Sequence, residues 1–131
     1  MKKESNYLNF LEQKGISLSI INTGSEEKAL LVEDALQAIN LLKDEKIANL
    51  GGDILSEVNG KLIYAYQLWG IEYIYLNWYC EKTSNENREV YLNRSYNIAK
   101  KKIIEANTIA NNLNKRCYIV LVTEYYNLSL E

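Results

Sequence analysis

The chain has 131 residues, of which 47% are hydrophobic and 24% charged, with a net charge of −2. That balance excludes a disordered tail and fits a single domain over residues 1–131, long enough to bury about two-thirds of its unfolded surface. The first half holds more acids than bases and the second half slightly more bases, which speaks against a nucleic-acid ligand and suits a basic protein partner.

Residues 4–14 carry Tyr7, Leu8, Phe10 and Leu11 on one side and predict a short helix stopped by Gly15. Ile16–Ile21 predicts a brief edge strand. Ser25 is a good N-cap, with Glu26 and Glu27 following where a helix dipole favours carboxylates. That helix is expected to run to about Lys43 and to bury Leu31, Ala35, Ala38, Ile39 and Leu42. Asn59-Gly60 between Ile54–Val58 and Lys61–Leu68 signals a hairpin closed by a type I′ turn. Trp69-Gly70 reads as a second tight connection, which would leave Trp69 exposed. Ile71–Cys80 alternates, with Ile74, Leu76, Trp78 and Cys80 on one face and Tyr73, Tyr75, Asn77 and Tyr79 on the other, as a strand would.

Thr83 with Glu86 fits a capping box ahead of a helix to about Asn112. Its stripe is Leu92, Tyr96, Ala99, Ile103, Ala106, Ala110 and Leu113. Arg116–Glu124 reads as a central strand with few polar breaks. The expected fold is therefore α+β in the order α-α-β-β-β-α-β: an antiparallel or mixed sheet of about four or five strands, with two longer helices on one face.

There is no histidine, which removes the commonest general base and metal ligand, and the Ser-His and Cys-His systems with them. Cys80 and Cys117 lie far apart in strand-like contexts and read as buried, reduced thiols. Two isolated cysteines cannot build the usual zinc site, and no phosphate-binding glycine motif occurs. No cofactor, no metal and no catalysis are expected. No apolar run approaches the roughly 20 residues of a membrane-spanning helix. Met1–Asn6 lacks the apolar stretch of a signal peptide, so a cytoplasmic location is expected.

Two features stand out. Gly51-Gly52-Asp53 is a specified loop, open to two readings: a turn that aligns the next strand, or a presentation of Asp53 to a partner. The aromatic residues between Tyr64 and Tyr79 are the second, since tyrosine and tryptophan serve both protein interfaces and cross-strand pairing. Glu26, Glu27, Glu33 and Asp34 read as solvated helix surface; with Asp53 and Glu57 they would instead form an acidic patch that steers a basic partner. The basic run Lys100-Lys101-Lys102 reads as a solvated helix face.

Four stretches taken in order resemble the immunity protein 40 family of bacterial polymorphic toxin systems. They are Ala35–Leu42, Ile47–Asp53 with its Gly-Gly-Asp, Asn77-Trp78-Tyr79-Cys80, and Tyr91–Ser95 in the following helix. The resemblance spans about residues 28–110 and places the family's motif positions at Gly51, Gly52, Asp53, Trp78 and Arg94. It implies a small α+β protein, without cofactor, that binds and occludes a cognate toxin. The residues expected to meet the toxin are Asp53, Glu57, Trp69, Glu72 and Tyr79. The alternative is an adaptor or small-ligand-binding domain using a tyrosine-rich sheet face. A hydrolase built on Asp53, Glu57 and Glu72 is the third reading, and it requires two carboxyl groups about 5–10 Å apart across a cleft.

Overall fold

The computed structural model describes residues 5–18 and 27–125. Among these the chain order is α1 (Asn6–Lys14), β1 (Ile16–Ser17), β2 (Lys28–Leu31), α2 (Val32–Glu45), β3 (Asn49–Val58) and β4 (Lys61–Tyr64), then α3 (Ala65–Trp69), a 3-10 helix (Ile71–Leu76), β5 (Trp78–Tyr79), α4 (Arg88–Leu113) and β6 (Tyr118–Thr123). The strands form one antiparallel sheet in the order β1-β2-β6-β3-β4. The short β5 pairs with Gly51 and Gly52 on the side of β3 away from β6, in line with β4.

Side chains alternate between the two faces of a strand. Leu30, Ile119 and Ile54 stand side by side across β2, β6 and β3 and point into the main core. Over them pack Ala35, Ala38, Ile39 and Leu42 of α2 and Leu92, Tyr96, Ala99, Ile103, Ala106 and Ala110 of α4. Each fully buried leucine or isoleucine here contributes about 1.5–3 kcal/mol, and the alanines let the two helices approach closely. Tyr7 of α1 and Ala65 and Trp69 of α3 join the same core, so all four described helices lie on this side. The other face of the sheet carries a smaller cluster of Ala29, Leu55, Leu62, Tyr118 and Val120, with Leu18 against it.

The α+β class, the long helices on one face and the central position of Arg116–Glu124 stand as expected. Asn59 and Gly60 both take positive φ, as a type I′ turn requires. Gly15 stops α1, its N–H donating to the Leu11 carbonyl. Cys80 and Cys117 are buried and unbonded to each other.

Four expectations need correction. The helix expected from Ser25 begins at Val32, because Lys28–Leu31 is a strand paired with β6; Leu31 is 51% exposed and not part of the stripe. Ser25 and Glu26 lie outside the described residues, as do Ser19 to Ile21. Gly51-Gly52-Asp53 is not a loop but lies inside β3, just after a register shift between Asn49 and Gly51. The segment read as two tyrosine-rich strands is mostly helical: β4 ends at Tyr64, α3 and the 3-10 helix follow, and only Trp78 and Tyr79 pair as a strand. Thr83 and Glu86 do bond reciprocally, but in a turn before the helix, whose N-cap is Asn87.

Candidate functional site

The site is built from the β3–β5 junction outward. At Gly52, an added Cβ would fall within 3.0 Å of three atoms of the Trp78 ring; at Gly51 it would run into the Trp78 carbonyl oxygen. The two glycines therefore let β5 and the indole come down on β3. The Trp78 Nε1 donates to Asn49 Oδ1 at 3.1 Å, while Asn49 Nδ2 donates to the carbonyls of Gly51 (2.8 Å) and Val122 (3.2 Å). Asn49 is fully buried, and its side chain satisfies backbone groups freed by the register shift. Its own N–H donates to Ser95 Oγ of α4 at 3.3 Å.

Arg94 fastens the next segment. Its guanidinium donates to both carboxylate oxygens of Glu86, to the carbonyl of Glu81 and to Cys80 Sγ, and sits 5.7 Å from the Tyr91 ring centroid. The bond from Arg94 is the main reason the Glu86 carboxyl is held down to about 2. Gly51, Gly52, Trp78 and Arg94 thus act together to hold β5 and the chain leading into α4 against the sheet.

Asp53 faces the other way. It follows Gly52 and precedes Ile54, both turned to the main core, so its side chain rises from the face that carries no described helix. Glu57, four residues on, shares that face. Tyr64 is paired with Leu55 and Tyr79 with Gly51, which places each tyrosine on the same face as Asp53 and diagonal to it. Both tyrosines are exposed, 43% and 74% respectively. Tyr64 stacks on Tyr66 with centroids 5.7 Å apart.

The charges on this face are unequally compensated. Glu57 accepts from Arg116 at 3.1 Å and from the Tyr118 hydroxyl at 3.4 Å. Asp53 has no hydrogen bond or ion pair among the described residues, and partial burial raises its carboxyl above the usual range. Burial first, then the Asp53 and Glu27 carboxylates, push up the Tyr64 hydroxyl and keep it protonated.

Of the five residues expected at an interface, the structure gathers Asp53, Glu57 and Tyr79 on one face. Trp69 is only 9% exposed: α3 turns its indole into the core, edge-on to Tyr73 at 6.2 Å. Glu72 is exposed on the 3-10 helix, which belongs to the helical layer and not to this face. Tyr73 and Tyr75 also sit on that helix, so the tyrosine-rich strand face assumed for a small-ligand domain does not form. Lys102 is not simply solvated; it donates to the Tyr75 carbonyl and lies 5.3 Å from that ring's centroid. Sequence reasoning missed Asn49 and Tyr64. An asparagine ahead of two glycines reads as turn, and nothing in the sequence marked Tyr64 as the end of its strand.

A depression of about 440 Å³ lies beside this face, lined by Leu50, Tyr79, Cys80, Glu81, Lys82 and Tyr91. It is open to solvent, unlike the closed apolar cavity that small ligands favour. Asp53 and Glu57 project from one strand about 13 Å apart along it, beyond the span of paired hydrolytic carboxylates. Among the described residues no cluster of histidine, cysteine or carboxylate side chains could hold a metal ion, and no helix is long and apolar enough to cross a membrane.

A family model described as Immunity protein 40 matches residues 17–123, from β1 through β6. No curated protein and no solved structure matches the chain.

Proposed function

The chain belongs to the immunity protein 40 family, and from that premise we propose that it neutralises a cognate bacterial toxin by binding the toxin domain and covering its working surface. The mode of action is stoichiometric occlusion in the cytoplasm of the producing cell, with no catalysis and no cofactor.

The observation that carries this reading is the division of labour across the sheet. The described helices pack on one face. The other presents Asp53 and Glu57 beside the exposed tyrosines Tyr64 and Tyr79. Carboxylates steer a basic partner into encounter, and tyrosines supply contact area at small entropic cost while keeping a polar handle. A nuclease toxin would suit such a surface, since its nucleic-acid site is basic.

The test is co-expression with the toxin encoded by the neighbouring gene, followed by purification through a tag on either chain. A one-to-one complex and restored growth are expected. A toxic neighbour that neither binds the chain nor is silenced by it would overturn the reading.

A further inference from the structure

In the Gly51-Gly52-Asp53 run the two glycines serve packing inside the molecule, whereas the Asp53 side chain meets no partner among the described residues. Gly51 and Gly52 make room for β5, whereas the Asp53 carboxylate rises from the face turned away from the Trp78 ring, half-buried, with no hydrogen bond or cation among the described residues. Its neighbour in charge, Glu57, is answered by Arg116 and Tyr118. A carboxylate partly withdrawn from water without a partner costs free energy. Evolution removes such a cost easily, because asparagine has nearly the same shape.

The surroundings say what would compensate it. Tyr64 and Tyr79 flank Asp53 diagonally from β4 and β5, both exposed, with Tyr66 stacked behind Tyr64. Aromatic rings on either side of a carboxylate suit a planar cation that stacks and donates through a fork. A lysine ammonium gains less from the rings and cannot bond in a bidentate way. Resting on the toxin-binding reading above, we propose that Asp53, between Tyr64 and Tyr79, is the receptor for an arginine side chain of the toxin, and that the free protein is less stable for keeping it.

The consequence is a pair of effects of opposite sign. In the full chain, Asp53→Asn is expected to raise the melting temperature by about 2–4 °C and to weaken binding of the neighbouring toxin by about 10- to 100-fold. Glu57→Gln, whose carboxylate is already paired, is expected to weaken binding less than Asp53→Asn. Arginine-to-alanine substitutions in the toxin, crossed with Asp53→Asn, should reveal one position whose effect disappears in the variant background.

Wild-type affinity in Asp53→Asn would overturn the inference and leave the toxin-binding reading intact. A fall in melting temperature would also overturn it, by making Asp53 a structural residue. Coupling found at a lysine, or at no basic residue, would remove the arginine assignment. If the wild-type chain itself failed to bind the toxin, the reading and this inference would fall together.

Discussion

Gly52 and Trp78 are complementary by absence: the indole occupies the space where any side chain at Gly52 would stand. Gly52→Ala is therefore expected to cost about 1–3 kcal/mol, as overpacking does, and chemical denaturation will read it as a lower midpoint with an unchanged slope. Glu86 offers a pH test. Its folded carboxyl titrates at about 2 against an ordinary 4.5, chiefly through the bond from Arg94. A depressed value contributes stability above the ordinary one and loses it as the pH falls. Thermal melts across that window should show the wild type losing more stability than Glu86→Gln. Asp53 has the reverse sign. Burial raises its carboxyl, so charging it costs stability as pH rises through its folded value, and the gap between wild type and Asp53→Asn should narrow in acid. These residues were only partly legible in the sequence. The Gly-Gly-Asp run was visible as special, but its reason, the ring of a tryptophan 26 positions later, is a long-range contact that local spacing cannot disclose.

Elements were legible where one periodicity held unopposed. The α4 stripe from Leu92 to Ala110 is buried as its spacing of three and four requires, whereas Leu113, expected to continue it, is exposed at the end of the helix. The Asn59-Gly60 turn follows from residues that tolerate positive φ. Ile71–Cys80 failed because apolar and tyrosine residues alternate there as in a strand, while the exposed Ile71, Ile74 and Tyr75 sit on a 3-10 helix. Lys102, reaching from α4 to the Tyr75 carbonyl, is among the tertiary contacts that favour this form. Residues 28–31 read as part of the neighbouring helix because their pairing partner, β6, lies near the other end of the chain.

Helix α1 lies before the segment matched by the family model and is clasped to α2 by Glu45. That carboxylate accepts from Ser5 Oγ at 2.6 Å, from the Tyr7 N–H at 2.7 Å and from the Tyr125 hydroxyl, while Tyr7 stacks on Tyr125. Glu45→Ala should cost about 1–3 kcal/mol and release α1 first, seen as faster hydrogen exchange of its amides. Toxin binding is expected to survive, since the clasp lies on the helical layer and not on the Asp53 face.

Among the described residues the sheet is one-sided: helices pack on one face, and the other carries a small apolar cluster beside the paired Glu57 and the unpaired Asp53. The molecule's charge distribution is legible in the sequence, whose first half holds the excess of acids. Which acids share a surface is not, since Glu33 and Asp34 begin α2 while Asp53 and Glu57 rise from the opposite face. Association through such a surface should slow as salt is added, with dissociation changing less.

Occlusion makes a demand that no catalytic inactivation shares, namely that each molecule silences one toxin and no more. Purified toxin titrated with the chain, its activity read at each ratio, tests this directly. A straight decline is predicted, one that reaches zero at one equivalent and does not deepen with time. Toxin lost progressively at a small fraction of an equivalent, or fully active beside an excess of the chain, would contradict it.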